Sequence, residues 1–275
     1  MLFVQNLLFL IIPIILFAFG TAIGSFLNVV IYRTINEESW VKGRSKCEFC
    51  KKKIAWYDNI PLLSFVVLDG RCRHCKKKIA SIHPIVELLT GSLFLWWYMI
   101  GFIFFRLTQE PLNVVQPLFW LLVGVIFIVI FITDLRYYII PDYSVVFLLI
   151  LILLYRMFLI HSGIMQGRDF FTALLSTIVL TGFFFLLWFF SKGKGFGFGD
   201  VKLAIPLGLL LGWPKILVGV FFAFIFGAFT GIILIMFGKR KWGQKIPFGP
   251  FLILGAVVAL IYGQEILVWY FGKLL

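Results

Sequence analysis

Long apolar runs separated by short polar breaks set the plan of the chain. They lie near residues 7–32, 84–105, 117–134, 142–160, 170–190, 214–238 and 248–272, with a shorter one at 201–212. A helix crosses a bilayer with roughly 20 apolar residues. The pattern therefore predicts an all-α polytopic membrane protein with about eight transmembrane helices. The short run either spans or re-enters. The first run starts at Leu7, has no basic residue before it and outlasts a signal-peptide core, which predicts a retained helix over 1–32.

Composition agrees: 62% of the residues are hydrophobic and 13% charged, and the mean hydropathy is +1.05. Charge then orients the chain, because Lys and Arg concentrate in cytoplasmic loops. The stretches 33–81, 135–141, 191–202 and 238–246 fall on one side of an eight-span layout and hold most of the 25 basic residues. This predicts external termini and a basic cytosolic collar. The net charge of +13 reads as topology and contact with anionic lipid. This reading is preferred to nucleic-acid binding, since no stacking platform or groove-reading module is visible.

The largest polar stretch, 33–81, contains all four cysteines, as Cys47-x-x-Cys50 and Cys72-x-x-Cys75. Two such pairs, 21 residues apart, match a zinc-ribbon spacing and predict a structural Zn2+. Disulfides are the rival reading, disfavoured in a reducing cytosol. A loop with so little apolar mass gains its fold from the metal. His74 reads as a bystander inside the second pair. The predicted organisation is a first transmembrane helix (1–32), a cytosolic tetracysteine loop (33–81) and a transmembrane core (82–275).

Carboxylates stand at or near the ends of several apolar runs. Asp134 closes the third run and Asp200 follows the glycine-alternating stretch 193–199. An ionisable group at membrane depth is costly and marks a functional site. Two carboxylates on different segments are the minimum for acid–base hydrolysis: one activates water and the other, protonated, polarises a carbonyl. For Asp200 the plain alternative is an N-cap after a flexible linker. A phosphate-binding loop is weaker, for lack of a preceding strand and a Lys-Ser/Thr ending. Asp142, after Pro141, reads as a cap of the next helix. Glu87, near the start of the second run, reads either as a snorkelling helix-start residue or as a binding residue.

At these residues the chain resembles the type IV prepilin peptidases, membrane aspartic proteases of the GxGD type. The resemblance rests on GSFLNVVIYR (24–33), WYDNIPLLSF (56–65) between the cysteine pairs, DGRCRHC (69–75) and HPIVELLTG (83–91). TDLRYYIIPD (133–142), GFGFGDVKL (195–203) and PFGPFLILG (247–255) complete it. It implies a multi-pass protein of the bacterial inner membrane whose active site faces the cytosol. It also implies cleavage of prepilins or pseudopilins after the glycine that ends a short basic leader, with Asp134 and Asp200 as the catalytic pair. Many members also N-methylate the new terminus with S-adenosylmethionine, an activity associated with the cytosolic region; Glu87 is then a residue for methyl transfer or substrate contact. Glu48, where the family has proline, and Ser81-Ile82-His83-Pro84, in place of an arginine-tyrosine-proline step, are departures that bear on methylation. Two other classes compete. One is a transporter with the aspartates as ion ligands, and the other is a scaffold docking partners through its zinc loop.

Overall fold

The computed structural model describes residues 2–40, 43–104, 112–238 and 244–272. Among these, nine α-helices follow in order: α1 (Leu2–Ile35), α2 (Leu63–Val67), α3 (Ile82–Phe104), α4 (Leu112–Tyr137), α5 (Asp142–His161), α6 (Gly167–Phe190), α7 (Phe198–Leu211), α8 (Lys215–Met236) and α9 (Gly249–Phe271). The chain is an all-helical membrane protein, and each of the eight apolar runs forms a helix. Segments of α1, α4, α5, α6, α8 and α9 are long and apolar enough to cross a membrane. Helix α3 has 23 residues and is as apolar in composition as these. Helix α7 has only 14 residues, about 21 Å at 1.5 Å per residue, against a hydrocarbon layer of about 30 Å. Of the basic stretch 238–246, residues 239–243 lie outside the described residues.

Two compact units, Met1–Val129 and Ile130–Leu275, divide the chain within α4. In the first, α1 and α3 pack along each other. A β-carbon on Gly24 would come within 2.7 Å of the Glu87 Cα, so only glycine admits this approach, in the small-residue manner of membrane helix pairs. Between these helices, residues 43–81 carry a short 3-10 turn (Trp56–Asn59) and α2.

In the second unit α7 is the core helix, in contact with α5, α6, α8 and α9, and ten of its residues are buried. A helix that ends short of its neighbours leaves carbonyls without partners. Arg156 of α5 meets them: its Nε donates to the Leu209 carbonyl at 2.7 Å and its Nη2 to that of Leu210 at 3.4 Å. The α8–α9 seam closes where a β-carbon on Gly255 would collide with the Gly219 carbonyl.

Candidate active site

Asp134 sits in the last turn of α4, which continues to Tyr137, three residues past the expected end. Asp200 lies in the first turn of α7. Both are buried, at 6% and 5% exposure. Neither is left bare. The backbone N–H of Gly249, at the start of α9, donates to Asp134 Oδ2 at 2.9 Å, and that of Gly197 donates to Asp200 Oδ2 at 3.0 Å. Helix starts present free N–H groups and a positive dipole end, which offset part of the cost of burying each carboxyl. Asp200 is thus no N-cap: Gly197 holds that position, and the carboxylate reaches back to it from three residues on.

The two aspartates, remote in sequence, belong to one site. The charge on Asp134 bears electrostatically on Asp200. Ile140 packs against both helix starts: a β-carbon on Gly199 would lie 3.2 Å from its Cβ, and one on Gly249 would lie 3.1 Å from its Cδ1. Gly249 is further constrained, because its β-carbon would fall 2.6 Å from Asp134 Oδ2. Asp142 does not cap α5. Pro141 occupies the N-cap position without a side-chain cap bond, and the Asp142 carboxylate instead pairs with Lys202 Nζ at 2.5 Å. The pair ties the start of α5 to the start of α7.

An aromatic cluster stands behind the two donors. Phe196 immediately precedes Gly197 and Phe248 immediately precedes Gly249; their rings meet edge to face at 5.1 Å. Phe224 lies 5.2 Å from Phe248, and fully buried Phe184 lies 6.0 Å from it. One cluster therefore holds both backbone segments that position the carboxylates. A small misplacement of reacting groups is costly in rate. Phe248→Ala is expected to reduce turnover by roughly ten- to a hundredfold, and Phe248→Tyr by much less, as checked by kcat at saturating substrate. Sequence reading passed over these phenylalanines as bulk apolar residues; their only local signal is their place beside motif glycines.

In the first unit the four cysteine sulfurs lie within 4.8 Å of one another, and Cys47 and Cys75 are 3.8 Å apart. A tetrahedral metal with bonds of about 2.3 Å to sulfur spaces its ligands about 3.8 Å apart, so the donor set fits one zinc ion. The two halves of the site repeat. CEFCKKKIA (47–55) and CRHCKKKIA (72–80) fold alike: Cys47 N–H bonds the Lys52 carbonyl and Cys72 N–H that of Lys77, while Lys51 and Lys76 each return an N–H to the first cysteine. Lys51 and Lys76 both take φ +58°. The signal for this internal repeat is the string C-x-x-C-K-K-K-I-A, which occurs twice in the sequence. The thiols are shifted in opposite directions: the backbone N–H of Cys75 brings Cys72 down to about 7, while burial pushes Cys47 up to about 11. His74 is not among the clustered ligands. His83 has a partner in Glu48, at 3.4 Å.

Glu87 does not snorkel. It is 9% exposed, accepts the Leu62 N–H at 2.8 Å and is hydrogen-bonded by Ser25. It lines a cavity of about 500 Å³ together with Ser25, Asn28, Arg33, Asp58 and His83, a volume within the range of small-molecule sites. Arg33 closes one wall, donating to the carbonyls of Ser39, Trp40 and Gly43, each at 2.9 Å. Asp58 and Arg73 form a forked ion pair with contacts of 2.7–3.0 Å, and Arg73 holds the Asp58 carboxyl below the usual carboxylate range.

Comparison with known proteins settles the family. Residues 18–101 match the Bacterial Peptidase A24 N-terminal domain, and residues 121–232 match the Type IV leader peptidase family. A prepilin leader peptidase/N-methyltransferase of Aeromonas hydrophila is 32% identical, covering 95% of this chain and 94% of that protein. The chain belongs to the type IV leader peptidase family. Further relatives bearing the same name come from Legionella pneumophila, 30% identical over 92% of both chains, and Bacillus subtilis (strain 168), 30% identical over 93% of this chain and 96% of that protein. No solved structure matches this leader peptidase family member.

Proposed function

We propose that this protein is a prepilin peptidase that removes the short basic leader of a type IV prepilin or pseudopilin and then methylates the new N-terminus. The observation that carries the reading is the pair of buried carboxylates on α4 and α7, each held by a helix-start N–H and electrostatically linked. In this reading the two carboxyls titrate as a unit and share a proton. The ionised member takes a proton from water as it attacks the scissile carbonyl, the protonated member polarises that carbonyl, and the proton passes to the leaving amine. Cleavage in this reading falls after the leader's terminal glycine, at the cytosolic membrane face, where the hydrophobic pilin helix begins.

In the same reading the loop 33–81 belongs to methyl transfer and 82–275 carries the peptidase. The cysteines Cys47, Cys50, Cys72 and Cys75 would hold a structural zinc ion, which supplies folding energy to the loop. S-adenosylmethionine, when bound, supplies an electrophilic methyl group. The cavity fits it: the buried Glu87 carboxylate offers a counter-charge to a sulfonium, and Asn28 and Arg33 line the same space.

The test uses the purified full chain and a prepilin with a basic leader, glycine and hydrophobic helix. Mass spectrometry should show loss of the leader without additives, and gain of one methyl group only when S-adenosylmethionine is present. Intact prepilin after prolonged incubation with folded protein would overturn the peptidase reading; cleaved but unmethylated product would overturn the methyl-transfer reading alone.

A further inference from the structure

Residues 56–67 (WYDNIPLLSFVV), between the two cysteine knuckles, are built inside out. In α2, Leu63, Val66 and Val67 stand at 57%, 74% and 69% exposure, whereas Ser64 is buried at 8%, its hydroxyl donating to the Tyr57 carbonyl at 2.9 Å. Positions i, i+3 and i+4 share one helix face, so the exposed side chains form a single apolar face and the polar one points inward. Trp56 and Tyr57 add exposed aromatic surface at 74% and 50%. In a segment surrounded by water this arrangement is reversed.

Depth explains the reversal. The Leu62 N–H is hydrogen-bonded to Glu87, which is hydrogen-bonded in turn by Ser25. Ser25 lies ten residues before the end of α1, about 15 Å along the helix, and Glu87 five residues after the start of α3, about 7.5 Å. Leu62 itself takes φ +57°, a value uncommon for any residue but glycine. The turn that leads into α2 is thus drawn down beside the membrane helices, below their ends, to the level where headgroups meet hydrocarbon. Trp and Tyr favour that level.

We propose that residues 56–67 form an interfacial foot whose partner is the phospholipid of the adjoining leaflet: the Leu63, Val66 and Val67 face lies against acyl chains, and Trp56 and Tyr57 lie at the headgroup boundary. The foot fixes the height of the tetracysteine loop over the bilayer and holds the Leu62 N–H on Glu87. It rests on the membrane-spanning fold and is independent of the assigned chemistry.

The experiment places a photoreactive benzophenone amino acid at Val66 in the full chain, reconstituted in nanodiscs of phosphatidylethanolamine and phosphatidylglycerol. Ile178, 68% exposed on the α6 span, serves as the lipid-facing control and exposed Lys52 as the water-facing one. After irradiation, intact-mass spectra should show phospholipid adducts at 66 with a yield within about twofold of 178, at least tenfold above 52, and unchanged by added prepilin. Absence of lipid adducts at 66 while 178 forms them would overturn the proposal. Adducts at 66 with prepilin in place of lipid would also overturn it, assigning the face to substrate.

Discussion

Asp134→Asn and Asp200→Asn are each expected to lower prepilin cleavage by at least roughly a hundredfold, the usual scale for losing an acid–base group. Such a loss corresponds to about 2.7 kcal/mol of transition-state stabilisation. Asn preserves the shape of each side chain, and its carbonyl oxygen can still accept the N–H of Gly249 or Gly197. The fold therefore persists while the proton exchange between the carboxyls ends. The double variant should be hardly slower than either single one, because groups that act as a unit are strongly non-additive. Initial rates on a detergent-solubilised prepilin, with zinc content and expression checked alongside, measure this. Cleavage retained by either variant would remove the aspartic mechanism, and additive losses would mean that the two groups act in separate steps.

Removing the metal is the second large effect. Cys72→Ser, or chelation of the wild type, is expected to abolish methyl transfer while cleavage stays within about tenfold. The loop carries little apolar mass around the cysteines and folds on two short knuckles, so metal binding supplies most of its folding energy, apparent values for structural zinc being about 10–16 kcal/mol. The cavity that contains Glu87 takes part of its wall from this loop, and its collapse removes the methyl-donor site. Both aspartates and the N–H groups that hold them belong to Ile130–Leu275, which receives no cysteine. Metal analysis should fall from one zinc per chain to none, and mass spectrometry of the product should show a cleaved but unmethylated terminus. Equal loss of both reactions would assign the loop a part in cleavage.

Much of the molecule is legible from local pattern. Apolar runs mark every membrane helix, because lipid demands continuous apolar surface and internally satisfied backbone whatever the neighbours are. Cysteine spacing marks the metal cluster for a similar reason: a two-residue gap places both sulfurs of a knuckle on one ion. Legibility ends where function passes to backbone groups and to partners distant in sequence. Nothing about Gly249 by itself announces that its N–H holds Asp134, and the family motif 247–255 marks the place without giving the contact. Asp142 illustrates the limit differently. Its position after Pro141 predicts a helix cap, yet Lys202, 60 residues on, lies near enough to take the carboxylate.

The sequence by itself determined the helical membrane architecture, the four clustered cysteines and the identity of the two buried aspartates, since each follows from composition or spacing within one segment. Only the tertiary structure decided that the aspartates share one site, that phenylalanines beside Gly197 and Gly249 brace it, and that α2 turns its apolar face outward. These depend on which helix starts meet and at what depth a loop is tied. Such relations arise from packing between segments far apart in the chain, where small residues permit close approach and a single hydrogen bond sets the level.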